Sequence, residues 1–428
     1  MKYAFTFMVG LVLSAYVAGA QTGVWSGKLD IQGAKLSLVF HLDGDNPTVD
    51  SPDQGVKGIP IQIERKASSR IFIKVPSLGA SYDGVYLAQR IVGTFKQGAA
   101  SLPLTLTPGE NKPRRPQTPQ GPFPYSTEEV TFVNGDVTLN GTLVLPEGCS
   151  YSTPVLLMVT GSGQQNRDEE LFDHRPFAVI ADALARAGIA TLRYDDRGLC
   201  GFIGNIYECT TEDFKEDAKA GVDYLRKRFD NVGVLGHSEG GTIAMMLAAE
   251  QEVDFIVSLA GMVVSGSETL VAQNSVALAE AGYDNETTAT YCKALGEAFD
   301  ALVNGDGMPQ IDDYDLPEAL KQNYIAAISQ MQIPYMKYFL ALDMRPMLSK
   351  ITCPVLALNG TKDVQVRYKE NLTALRNGLS FNENNLVEAV EGVNHIFQHC
   401  DTGSVSEYRD IEETISPEVL EIIIQWIL

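Results

Sequence analysis

From Val24 to about Leu106 apolar residues alternate with polar or smaller ones, as in Leu36, Leu38, Phe40 and Leu42, and again in Ile71, Ile73 and Val75. A period of two sends successive side chains to opposite faces of a strand. The stretch therefore predicts a small antiparallel β domain over residues 21–107, with turns at Gly33, Asp43-Gly44 and Asp83-Gly84. It holds no chemical motif. Packing or partner binding, including binding of a carbohydrate, is what such a module offers.

Residues 108–125 break the pattern: Pro113, Pro116, Pro119 and Pro122 are interleaved with Lys112, Arg114 and Arg115. That composition favours extended, semi-rigid backbone and predicts an interdomain linker. Beyond it, Val130–Val133 and Val137–Leu145 flank Asn134-Gly135-Asp136, a hairpin signal. From Pro154 continuous apolar runs alternate with amphipathic segments. Strands are expected at Val155–Val159, Ile189–Arg193, Val232–Leu235, Phe255–Leu259, Val355–Asn359 and Leu386–Val390. Helices are expected at Phe177–Ala187, Glu212–Phe229, Thr242–Glu250 and from about Pro417 to Leu428. Unbroken apolar strands between helices imply a mostly parallel sheet covered on both faces, here over residues 126–428. Residues 262–350 interrupt the rhythm with helical composition and no strand signal, which predicts an inserted helical cap; plain extension of the scaffold is the blander alternative.

Composition narrows the classes. Met1-Lys2, an apolar run from Ala4 to Val17 and Ala18-Gly19-Ala20 form the pattern of a secretory signal peptide over residues 1–20, so a periplasmic or secreted protein is expected. The apolar run is shorter than the roughly 20 residues that span a bilayer, and no stable membrane insertion is expected. A net charge of -21 repels phosphate backbones and argues against nucleic-acid partners, although its ordinary meaning is solubility. Of six cysteines, Cys200 and Cys209 share one short loop region and are the best placed to bridge, with free buried thiols the alternative.

The chemistry sits at Gly236-His237-Ser238-Glu239-Gly240-Gly241, between an expected strand and an expected helix. G-x-S-x-G in that context is a nucleophile elbow, in which glycines permit the sharp turn that exposes a serine Oγ. The elbow requires an acid and then a histidine on later loops. Asp363 follows the strand Val355–Asn359, and His395 follows the last strand, after Gly392-Val393-Asn394. Among five histidines, His41, His174 and His237 precede or adjoin the serine, and His399 lies one helical turn past His395. A metal site on His395 and His399 lacks the intervening glutamate and a third ligand, so neither metal nor cofactor is expected. For the oxyanion, the Glu239 amide follows from the elbow, and Thr160-Gly161-Ser162-Gly163-Gln164 offers a second amide, that of Ser162 or Gly163. Tyr335, Tyr338 and Phe339 lie at helical spacing in the expected cap and are pocket candidates, or ordinary core.

Gly161-Ser162-Gly163-Gln164-Gln165-Asn166-Arg167-Asp168-Glu169, Arg193-Tyr194-Asp195-Asp196-Arg197-Gly198, the elbow, Pro354–Asp363 and Asn394-His395 together resemble the EstD-type bacterial carboxylesterases of the α/β-hydrolase superfamily. The resemblance runs from about Glu128 to the end. It implies an α/β-hydrolase fold with a helical cap, a preceding β domain, and hydrolysis of small acyl esters by Ser238, His395 and Asp363 without a metal. One departure stands out: Leu199-Cys200-Gly201-Phe202 replaces the small residue, glycine and serine that usually follow Arg-Gly, which bears on pocket shape. An acylated carbohydrate is one form the substrate could take, given export and the β domain. Two other functions compete: a serine peptidase of the same fold, and a hydrolase-fold binding protein without activity.

Overall fold

The computed structural model describes residues 23–31, 34–54, 56–67, 69–87, 89–110, 114–199 and 205–428. The signal-peptide pattern at residues 1–20 lies outside them, as does Cys200. The chain divides into two compact units, with the boundary between Lys112 and Pro113.

The first unit is a nine-stranded antiparallel sheet of β1 (Val24–Ile31), β2 (Ala34–His41), β3 (Thr48–Ser51), β4 (Val56–Pro60), β5 (Gln62–Ala67), β6 (Arg70–Val75), β7 (Ala80–Leu87), β8 (Arg90–Gln97) and β9 (Ala100–Pro108). Its order is β4-β3-β2-β1-β9-β8-β7-β6-β5. The two edge strands β4 and β5 are separated in sequence by Ile61 alone, so the sheet must curl until its edges approach at that residue. The alternating residues do what their period requires: Leu38, Phe40, Ile71, Ile73 and Val75 are all in the interior of the curl. Tyr82 is fully buried, and its hydroxyl lies against the carbonyls of Ile91 and Leu104, at 2.9 and 3.1 Å.

In the second unit residues 114–125 are fastened rather than free. Arg115 donates to the carbonyls of Phe172, Arg409 and Ile411, and Gln117 pairs with the backbone at Thr414 and Ile415. An eight-stranded sheet follows, made of β10 (Ser126–Asn134), β11 (Val137–Leu145), β12 (Val155–Val159), β13 (Ala190–Tyr194), β14 (Val232–His237), β15 (Phe255–Leu259), β16 (Val355–Gly360) and β17 (Leu386–Val390). The order is β10-β11-β13-β12-β14-β15-β16-β17. Only the β10–β11 and β11–β13 pairings are antiparallel. This is an α/β-hydrolase arrangement.

The central strands are buried on both sides and divide their side chains strictly. Val155, Leu157 and Val159 join one core, whereas Leu156 and Met158 join the other. The first core packs under α2 (Thr211–Leu225), α3 (Glu239–Ala249) and α8 (Tyr368–Gly378), the second under α1 (Pro176–Arg186) and α9 (Pro417–Ile427). Between β15 and β16 the chain forms α4 (Gly266–Glu280), α5 (Asn285–Asn304), α6 (Glu318–Gln330) and α7 (Pro334–Ala341), which share a core of their own that includes Tyr291, Phe299 and Leu340.

One expectation needs correction. The third hydrolase helix starts at Glu239, not Thr242, because the chain passes from strand to helix through one residue. Cys209 is a buried free thiol with its Sγ 3.6 Å from the Arg197 guanidinium, as the free-thiol alternative has it, while Cys200 lies outside the described residues.

Leu157 is fully buried in β12, and its methyl groups sit close above Gly221 of α2. Leu157→Ala opens a cavity at the centre of the sheet and is expected to cost about 3 kcal/mol of unfolding free energy in urea titration.

Candidate active site

β14 ends at His237 and α3 begins at Glu239, leaving Ser238 as the one residue that reverses the chain. Its backbone holds φ 53 and ψ -119. A residue with a Cβ adopts that conformation only where the surroundings force it. Those surroundings are the two glycines: a Cβ on Gly236 would lie 1.9 Å from the Gly240 carbonyl oxygen, and one on Gly240 would lie 2.0 Å from that of Val159. The Ser238 amide donates to the Leu259 carbonyl at 2.8 Å, which ties the turn to β15. While its neighbours are buried, Ser238 is partly exposed.

Asp363 lies three residues beyond the end of β16 and His395 five beyond the end of β17. Because β14 to β17 are parallel, these loops leave the sheet at the end where the elbow turns. Nδ1 of His395 and Oδ2 of Asp363 are 2.7 Å apart, and both residues are buried. The other carboxylate oxygen, Oδ1, accepts from the Gln365 and Val366 amides at 2.8 and 2.9 Å, which fixes the acid. With Nδ1 engaged, Nε2 is the nitrogen left for proton transfer. His399 is elsewhere: it is half-exposed and pairs with Glu413 at 3.0 Å. Among the described residues no group of three His, Cys, Asp or Glu side chains is placed to hold a metal.

Ser238 and His395 line one cavity of about 570 Å³. Glu239 and Ser162 line it beside them, whereas Gly163 does not belong to its wall. The Gly161 amide, one residue before Ser162, is already spent on Glu169 Oε1 at 2.9 Å. The opposite wall comes from α4, through Thr269, Leu270 and Gln273, and from α7, through Tyr335, Met336 and Phe339. Tyr338 is not part of it. Its hydroxyl donates to Glu212 of α2 at 2.9 Å, away from the cavity, and Met336 is the α7 residue that faces in beside Tyr335 and Phe339.

Several groups that shape the site were not singled out by their spacing. The Glu239 carboxylate is buried and accepts from Thr211 Oγ1 at 2.6 Å and from Tyr335 Oη at 2.5 Å. Burial and that carboxylate together push the Tyr335 phenol well above its ordinary range. After β13, three successive ionisable residues each fasten a different part of the site. Asp195 pairs with Arg167 at 2.6 Å, Asp196 accepts from Thr160 Oγ1 at 3.0 Å and from the Gln165 amide at 2.8 Å, and Arg197 forks onto Asp217 at 2.6 and 2.7 Å. Glu169, buried at φ 53, accepts from the Gly161 amide and meets His237 Nδ1 at 2.8 Å. The signal for these residues was present in the two charged strings that resemble the EstD-type enzymes, but only as a likeness.

A protein-family model described as X-Pro dipeptidyl-peptidase (S15 family) matches residues 134–396. Esterase EstD from Thermotoga maritima is 26% identical over 282 residues, 64% of this chain and 62% of that esterase, so the chain spans less than two thirds of its relative's length. Among solved structures, Est1E from Butyrivibrio proteoclasticus is 17% identical, with 70% of this chain and 98% of that one covered at a TM-score of 0.40. The proline iminopeptidase of Mycobacterium smegmatis is 15% identical, with 70% and 97% covered at 0.44.

Desolvation raises the Asp196 carboxyl from 3.8 to about 8, with Glu169 and Glu239 reinforcing the shift against the two donated hydrogen bonds. A raised acid means that the fold holds this proton more tightly than the unfolded chain does, so stability falls as pH climbs from about 4 to about 8. Asp196→Asn removes that ionisation. Thermal melts from pH 5 to pH 8 are expected to show a shallower loss of Tm in the variant than in the parent.

Proposed function

The chain belongs to the X-Pro dipeptidyl-peptidase (S15) family, and from that premise we propose that it is a serine hydrolase that cleaves carboxylic esters through an acyl-enzyme. Ser238 is the nucleophile, His395 the general base and Asp363 its orienting acid. The observation that supports this most strongly is the forced turn at Ser238, in one cavity with a histidine whose far nitrogen is held by a buried carboxylate. Ser238 Oγ bonds to the ester carbonyl carbon as its proton passes to His395 Nε2. The carbonyl oxygen becomes the oxyanion, held by the main-chain N–H groups of Ser162 and Glu239. The C–O bond to the alcohol then breaks, and the alcohol leaves with the proton from His395. Water, giving its proton to the same nitrogen, then bonds to the acyl carbon; the bond to Ser238 Oγ breaks, the serine takes that proton back, and the acid is released.

The family description favours a second reading, cleavage of peptides after X-Pro, and the cavity walls weigh against it. Such a peptidase has to hold the ammonium at the substrate's N-terminus. The carboxylates in this cavity's wall already have partners: Glu169 has Gly161 and His237, Glu239 has Thr211 and Tyr335, and Glu170 has Arg175 at 3.3 Å. The likeness to EstD points the same way.

In this reading α4–α7 are the cap that shapes the acyl and alcohol pockets, within a segment bounded near residues 262–350. Residues 21–107 form an accessory β domain, 108–125 connect it to the catalytic domain at 126–428, and residues 1–20 direct export to the periplasm or beyond. Acylated carbohydrates fall within the proposed class of small ester substrates.

A panel of p-nitrophenyl esters of increasing acyl length, run beside X-Pro nitroanilides, tests the proposal. Hydrolysis of the short esters well ahead of the anilides is expected. Ser238→Ala and His395→Ala are each expected to lose about 10⁴-fold or more in kcat. Full activity in His395→Ala would move the base elsewhere, and preference for the anilides would establish the peptidase.

A further inference from the structure

Glu169 and His237 belong to no triad, yet between them they touch the oxyanion loop, the nucleophile elbow and the loop that carries His395. Glu169 Oε1 accepts from the amide of Gly161, in the loop that carries Ser162, at 2.9 Å. The same oxygen lies 2.8 Å from Nδ1 of His237, the residue immediately before Ser238. On the other side of the ring, Nε2 of His237 lies 2.9 Å from the main-chain oxygen of His395. Both residues are buried.

The partners decide the charge. A carbonyl oxygen can only accept, so Nε2 carries a proton. Nδ1 faces the Glu169 carboxyl group, and with the ring's hold on its proton strengthened by that neighbour it carries one as well. Two donating nitrogens make His237 an imidazolium. Around the ring stand Glu169, the His395 ring at 4.8 Å between centroids, the edge of Phe397 at 6.5 Å and, at longer range, Asp363. Burial opposes the charge on His237, but Glu169 outweighs it and the ring holds its proton above the ordinary histidine range.

We propose that the buried Glu169–His237 ion pair is a positioning clamp that sets the spacing of the oxyanion loop, the nucleophile and the base loop. Neither residue transfers a proton in the reaction. Their effect is geometric: the pair fixes main-chain atoms at Gly161 and His395 relative to the elbow, and misplacement of reacting groups by about 1 Å costs on the order of 100-fold. Above the pH at which His237 loses its proton, one of its two bonds must fail. The clamp therefore holds its two bonds while the ring keeps its second proton and opens as pH rises past that point. The inference rests on the triad reading, since a clamp needs a reaction to position.

Glu169→Gln keeps shape and the acceptor for Gly161 while removing the charge. In the full chain, with sites counted by burst titration, kcat per site on a short p-nitrophenyl ester is expected to fall about 10- to 100-fold, with KM within about twofold. The acidic limb of the pH profile should stay in place, and the alkaline limb should move to lower pH by about one unit, because His237 without its counter-charge releases its proton sooner. A variant within twofold of wild type per titrated site, with its alkaline limb unmoved, would overturn the clamp. So would a loss explained wholly by fewer titrated sites. Ser238→Ala in the same assay separates the two claims: an active Ser238→Ala sinks the triad, whereas an inactive Ser238→Ala beside an unaffected Glu169→Gln sinks the clamp alone. If Glu169→Gln does not fold, nitrogen NMR of the wild-type His237 ring decides the matter; two protonated nitrogens at pH 7 are expected, and one would overturn it.

Discussion

Everything the site does depends on a chain reversal accomplished in one residue. Strand β14 lies in the middle of the sheet and helix α3 packs directly onto it, so Ser238 cannot relax out of its positive φ without separating the two. Gly236 and Gly240 permit that closeness, because any side chain at either would strike a carbonyl. The strain is held by burial around it: α3 is buried along its whole length. A stiff sheet thus lifts one hydroxyl into a cavity, and it also aims the loops of Asp363 and His395 at the same end.

Several carboxylates surround that hydroxyl, and each is held by different partners. Asp363 is saturated by two amides and an imidazole. Glu169 meets a cationic ring, Glu239 meets two hydroxyls, and Asp196 meets a hydroxyl and an amide too weak to offset its burial. The difference lies in partners rather than in depth. At Asp196 the two donors do not repay desolvation, and the carboxyl holds its proton more tightly than an ordinary one. The network joins loops distant in sequence, so the acid-rich strings after β12 and β13 act as scaffold for the cavity.

The alternation of apolar residues made the β unit legible, and the change from period two to unbroken apolar runs made the parallel sheet legible, because burial on one face or on two leaves different patterns. The elbow could be read because strand, glycines and helix must occur together. Chain order singles out the loops holding Asp363 and His395 as the places for the proposed acid and base. What spacing could not supply was depth and direction. Tyr338 and Met336 are both at helical spacing from Phe339, but which of them faces the cavity depends on where Glu212 lies, on a helix more than a hundred residues earlier. Glu169 looked like one acid in a polar string, since nothing local reveals that its side chain turns inward to a histidine on another loop. Cys209 likewise lies near Cys200 in sequence, but its thiol is directed at Arg197.

The most direct measurement is to treat the protein with a fluorophosphonate and map the covalent adduct by mass spectrometry. A single adduct on Ser238, formed far more slowly in His395→Ala, is the result this account requires. No adduct, or one on a different residue that forms equally fast without His395, would contradict it.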